Sequence, residues 1–147
     1  MASKLERGDG AFDGCFGCGP GNPKGLGLVF ERDGDEIITR VALSADYAGY
    51  ETFVHGGIVA SILDEAQGWA MINLADCYGV TRSLNVTYRR PVAVERPLVV
   101  RATLQERRGT SVFLESRIED ERGRLLASAA GHWITVRSDR AMKRATS

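Results

Sequence analysis

Two carboxylates stand side by side in an apolar run: Asp64 and Glu65, within VHGGIVASILDEAQGWAMINLADC at residues 54–77. A carboxylate carried into apolar surroundings is costly unless it is paired or used, and its pKa is open to tuning. Asp64 is therefore a candidate general base or nucleophile. Neighbours on a helix point about 100° apart, so at most one of the two acids faces a given pocket. The same stretch opens on His55-Gly56-Gly57. In a helix that starts there, the first-turn amides have no intrahelical partner and carry the positive end of the helix dipole. Glycine at 56 and 57 leaves those N–H groups open to the close approach of a carbonyl oxygen. A donor that polarises a carbonyl and an acid that activates water, or attacks directly, are the parts an acyl transfer needs.

These groups need a helix to carry them. Residues 56–76 place Ile58, Val59, Ile62, Leu63, Ala66, Trp69, Ala70, Ile72 and Leu74 around most of the helical wheel. A helix apolar all round is buried rather than laid on a surface. It is long enough to span a bilayer, but Asp64, Glu65, Gln67 and Asn73 exclude that. Ahead of it, Leu26–Arg32 and Glu36–Leu43 read as strands joined at Asp33-Gly34, a hairpin signal. After Gly79 the pattern turns to period two, in strands at 81–90, 98–105, 111–118 and 125–136 punctuated by Pro91, Arg108-Gly109 and Glu121-Arg122-Gly123. Strict alternation would put Thr81, Ser83, Asn85 and Thr87 on one face and Arg82, Leu84, Val86 and Tyr88 on the other. The order is β-β-α-β-β-β-β. Short turns imply an antiparallel sheet, and the one long helix must lie in its curve, an α+β hotdog arrangement. The sheet lacks a second helix layer, so self-association is expected.

The bounds agree. A chain of 147 residues is one domain by size, expected at 14–137, between a flexible start at 1–13 and a flexible tail at 138–147. Lys+Arg equals Asp+Glu, so no bulk positive charge points to nucleic acid. No apolar run suits a membrane span, and the first residues, MASKLERGDG, lack the apolar core of a secretory signal, which favours the cytoplasm. Cys15 and Cys18 form one C-x-x-C in a Gly/Pro-dense loop, and Cys77 stands alone. A single pair is half a zinc site with no second pair in view, so free thiols in a structured loop are the expectation, with metal and redox roles as the alternatives. No metal and no cofactor is expected.

HGGIVASILDEA, an acid nine residues after His55, the strand LNVTYRRP and the loop CFGCG-x-x-NPKGLGL together resemble the hotdog-fold acyl-CoA thioesterases. Within that 4-hydroxybenzoyl-CoA thioesterase-like superfamily, the nearest branch is the phenylacetate-degradation type. The likeness spans roughly residues 14–136. It implies hydrolysis of an acyl-CoA thioester, with coenzyme A entering as part of the substrate. It assigns the carbonyl contact to the N–H of Gly56 and the acid to Asp64. It places at Thr81 a hydroxyl that orients water or the acid, with Ser83 the substitute if the register slips by two. His55 could donate a hydrogen bond that fixes the loop or the water, or simply pack the junction. Gly57 and Glu65 would border the substrate. Arg89 and Arg90, or Arg107 and Arg108, could meet the phosphates of coenzyme A. Trp69 and Phe53 are candidates for the acyl chamber. One departure stands out: many relatives carry Asn six residues before the His, where this chain has Gly49. That makes a non-catalytic acyl-CoA binder one alternative. A hotdog hydratase or dehydratase, which uses a His with an Asp or Glu, is another, though the His-Gly-Gly and Asp spacing fits thioesterases better.

Geometry adds a constraint. Gly56 and Asp64 lie about 12 Å apart along one helix, so a single thioester carbon cannot reach both. The site is expected to combine the helix start of one subunit with the acid of another, in an obligate homodimer or a tetramer of paired dimers.

Overall fold

The computed structural model describes residues 3–5 and 12–136. The expected tail at 138–147 and most of the expected flexible start lie outside them. One helix, α1 (Gly56–Leu74), lies against a single antiparallel sheet. In chain order the strands are β1 (Ser3–Lys4), β2 (Glu31–Asp33), β3 (Glu36–Val41), β4 (Tyr78–Tyr88), β5 (Leu98–Arg108), β6 (Ser111–Asp120) and β7 (Leu125–Val136). Across the sheet they run β1-β2-β3-β5-β6-β7-β4. This is the hotdog fold, extended by the short β1 on β2.

Helix α1 is buried on most sides, as its composition requires. Ile62, Leu63, Ala66 and Ala70 have no exposed surface. The sheet covers one side through Val100, Ala102, Val112, Leu114, Ile118, Ala127 and Ala129. The other side is not bare. The loop from Phe12 to Phe30 folds over it, burying Cys18, Leu26, Leu28 and Phe30 and stacking Phe30 on Trp69 at 5.5 Å. This loop changes the expected first strand. Leu26 and Leu28 donate their amides to Phe16 and Gly17 within the loop rather than to a sheet neighbour. Gly27 takes the left-handed backbone (φ 62°) that lets the segment turn. Only Glu31–Asp33 remains as strand.

The helix ends two residues before the expected position. Asp76 adopts φ 51°, a left-handed conformation that an α-helix cannot continue through. The chain then reverses into β4, the last strand of the sheet, whose far edge has no partner among the described residues.

Inside the core one polar cluster is complete. Gln67, with no exposed surface, donates to Ser116 Oγ (3.0 Å) and to the Ala129 carbonyl (3.2 Å), and accepts from Trp133 Nε1 (3.0 Å). Ser116 in turn donates to the Leu63 carbonyl at 2.8 Å. Each buried polar atom of this group finds a partner, which fixes the rotation of α1 against β6 and β7.

Candidate active site

The site is built at the seam between α1 and β4. His55 caps the helix: its Nδ1 accepts from the Gly57 amide at 2.9 Å. That bond leaves the ring proton on Nε2, so His55 can present a donor but not a base at its outer edge. The bond also occupies the Gly57 N–H, which sequence reasoning had offered to substrate. The carbonyl of His55 takes the amides of Ile58 and Val59. Gly56 alone of these first residues keeps an amide without a protein partner, at an exposed helix start. A Cβ there would sit 3.6 Å from the Tyr88 hydroxyl, in open van der Waals contact. Tyr88 also donates to the Gly56 carbonyl at 2.6 Å, tying the helix start to the end of β4.

Asp64 lies two turns along, half-buried, and its Oδ1 accepts from Thr81 Oγ1 at 2.6 Å. Burial pushes the Asp64 carboxyl above the ordinary aspartate range, and the Thr81 hydroxyl opposes that by favouring the ionised form. Thr81 reaches Asp64 because β4 does not alternate strictly. A bulge between Thr81 and Ser83 puts Thr81 opposite Trp133 and Ser83 opposite His132. Thr81 thereby joins Leu84, Val86 and Tyr88 on the face toward the helix, and Ser83 turns away with Asn85 and Thr87. Ser83 instead lines a shallow groove on the outer face with Gln105, Phe113, Glu115 and His132. His132 stacks on Phe113 and meets Ser111 at 2.9 Å, also outside.

The remaining expected residues scatter in an instructive way. Glu65 points about 100° round the helix from Asp64 and lies under the Cys loop, where Cys15 Sγ donates to its Oε1 at 3.4 Å. Burial raises the Glu65 carboxyl to about 7. Arg89 and Arg90 follow β4, with both backbone amides bonded to the Leu126 carbonyl and both side chains exposed. Arg90 borders a wide groove with Arg96, Arg122, Arg124 and Asp120. Arg107 and Arg108 are engaged elsewhere: Arg107 caps the helix end through the Ala75 carbonyl, and Arg108 pairs with Glu106 and covers Phe113. Trp69 is core rather than chamber wall alone, being 6% exposed. Phe53 is partly exposed in the loop before the helix and pairs with Ala93.

At Gly49, a Cβ would stand 3.0 Å from the Cα of His55. A longer residue at this position requires the chain at His55 to give by a few tenths of an ångström. Tyr88 was missed by sequence reasoning. The signal was its place on the face with Leu84 and Val86, three residues before Pro91.

Residues 51–127 match the model of the Thioesterase superfamily. Acyl-coenzyme A thioesterase THEM4 of Mus musculus is 34% identical over 71 residues, 48% of this chain and 30% of that protein. The chain thus matches less than a third of the length of that curated relative. The crystal structure of the thioesterase superfamily protein RHA08564 superposes with a TM-score of 0.75 at 28% identity, over 79% of this chain and 60% of that one. The E. coli PaaI protein from the phenylacetic acid degradation operon shares the fold, with a TM-score of 0.70 at 18% identity over 77% of this chain and 82% of that one. So does a hypothetical thioesterase protein with coenzyme A from Streptococcus pneumoniae, with a TM-score of 0.66 at 19% identity over 71% and 83%. With the family model spanning more than half of the 147 residues, the chain belongs to the thioesterase superfamily.

Proposed function

We propose that this protein hydrolyses acyl-CoA thioesters at two composite sites of a homodimer. The observation that carries the proposal is the Asp64–Thr81 pair, a half-buried carboxylate held at 2.6 Å by a hydroxyl, on the same seam as the unpartnered Gly56 amide. The two half-sites are too far apart on one helix to meet one thioester carbon. Strand β4 links them: Thr81 at its start holds Asp64, and Tyr88 at its end holds Gly56. Among the described residues its outer edge is an unpaired row of backbone donors and acceptors, with Val80 and Tyr88 each 54% exposed. Two copies paired antiparallel along β4 would bring each Thr81 end beside the partner's Tyr88 end. That brings Asp64 of one protomer to the Gly56 amide of the other.

In the reaction, the Gly56 N–H and the positive helix end receive the thioester oxygen as it gains charge. Asp64 takes a proton from water as the water oxygen bonds to the carbonyl carbon, and returns it to the coenzyme A sulfur as the C–S bond breaks. Alternatively its carboxylate attacks the carbonyl itself, the thiolate leaves, and water then hydrolyses the mixed anhydride. Thr81 fixes the carboxylate's orientation on either route. The coenzyme A phosphates would meet Arg90 and Arg96 at the groove beyond β4. The S. pneumoniae relative solved with coenzyme A supports that substrate class, as does the mouse thioesterase. Pairing of dimers into a tetramer through the outer sheet face, and location in the cytoplasm, belong to the same reading.

The test is thiol release from a panel of acyl-CoAs, with Asp64→Ala beside the unaltered chain. Turnover that falls by at least about 100-fold in Asp64→Ala supports the assignment. Full activity in that variant would overturn it. A second reading, a non-catalytic acyl-CoA binder, is favoured by Gly49, which offers no side-chain amide to hold water. Binding with no turnover on any acyl-CoA would select it.

A further inference from the structure

The loop Cys15-Phe16-Gly17-Cys18-Gly19 takes no part in the Asp64 seam, yet it is folded around a carboxylate. Cys15 Sγ lies 3.4 and 3.6 Å from the two oxygens of Glu65, and one ligand atom each from Cys15, Cys18 and Glu65 falls within 4.8 Å of the others. In a tetrahedral zinc site, with Zn–S near 2.3 Å and Zn–O near 2.0 Å, neighbouring ligand atoms stand about 3.5 Å apart. The Cys15–Glu65 spacing already has that value. Both glycines of the loop are required for it. At Gly17 a Cβ would meet the Glu65 carboxyl carbon at 2.6 Å, and at Gly19 it would strike backbone atoms of Asp13 and Cys15. The three residues come from two segments 50 residues apart in the chain, so the cluster is made by the fold and not by the C-x-x-C alone.

We propose that Cys15, Cys18 and Glu65 bind one zinc ion, which clamps the N-terminal loop onto helix α1. Two thiolates and a carboxylate suit zinc and exclude magnesium and calcium, which prefer oxygen donors only. Binding releases the two thiol protons to solvent as the Zn–S bonds form, and Glu65 enters as carboxylate. All three residues line an apolar cavity of about 160 Å³ with Phe12, Tyr78 and Trp133, from which water or a small anion would fill the fourth position.

The test uses the full chain, reduced and stripped by chelator, then titrated with zinc and separately with cobalt. The expected result is about one ion per chain, a thiolate-to-cobalt charge-transfer band and a higher melting temperature with zinc. Cys15→Ser and Cys18→Ser abolish the band, and Glu65→Gln weakens zinc binding more than about tenfold while circular dichroism shows the fold retained. Reduced protein that holds no zinc, or a Glu65→Gln variant that binds as tightly as the unaltered chain, would overturn the assignment. A Cys15–Cys18 disulfide that forms in air, with no zinc bound after reduction, would overturn it in favour of a redox pair. Cys77, outside the cluster, serves as control: Cys77→Ser leaves stoichiometry unchanged.

Discussion

At the scale of the residue, Asp64 is held between two opposing influences. Burial raises its pKa and the Thr81 hydrogen bond lowers it. A base must be ionised to act, so turnover falls as pH drops through the pKa of Asp64, at a pH above the ordinary carboxylate range. Thr81→Val removes the opposing influence and moves the acidic limb of the kcat/KM profile to higher pH, with a loss of roughly tenfold in rate. A limb that stays in place would contradict the role of Thr81. The stability sign follows. With the folded pKa raised, the folded state binds the proton more tightly than the unfolded one. Its contribution is favourable below the ordinary aspartate pKa and is lost as pH rises through the folded pKa. At neutral pH the ionised Asp64 is therefore a burden on the fold, and Asp64→Asn melts higher than the unaltered chain while losing activity. At Gly49, the close approach of His55 predicts that Gly49→Asn costs about 1 kcal/mol of stability and brings no gain in turnover, read by denaturant unfolding and the same assay.

At the scale of the element, the sequence carried the helix and most strands but not the register that makes the site. The helix was legible because Ile58 to Leu74 are apolar all round, and the hairpins because Asp33-Gly34, Arg108-Gly109 and Glu121-Arg122-Gly123 mark them. The bulge at Arg82 left no such mark. Polar residues at 81–83 fit either face, so alternation grouped Thr81 with Ser83, whereas the sheet pairs them on opposite sides. A hydroxyl at Thr81 near the acid is what the family resemblance implies, whereas periodicity points Thr81 to the face of Ser83. The Cys loop was legible as turns, but its docking on Glu65 depends on contacts 50 residues apart, which no local pattern encodes. Gln67 was read only as a residue that excludes a membrane span, and it proves to be the polar centre of the core. Gln67→Ala leaves Trp133, Ser116 and the Ala129 carbonyl short of partners beside a new cavity, and is expected to cost about 3 kcal/mol in chemical denaturation.

At the scale of the whole molecule, β4 both bonds to Asp64 and Gly56 through Thr81 and Tyr88 and, among the described residues, forms an unpaired edge of the sheet. In the proposed dimer each protomer would supply an acid half at Asp64 and an amide half at Gly56, which hydrogen-bond to Thr81 and Tyr88 at the two ends of this strand. The direct measurement is a mixing experiment between two inactive variants. Asp64→Ala lacks the acid. Gly56→Pro lacks the amide proton, and proline is tolerated at the first helical position, where His55 already has an extended backbone (ψ 134°). Each variant alone is predicted to be inactive. Unfolded and refolded together, they form mixed dimers that hold one intact composite site, and activity returns to about a quarter of that of the unaltered protein. Mixed dimers verified by mass that remain inactive, or a Gly56→Pro homodimer that retains full activity, would contradict the account.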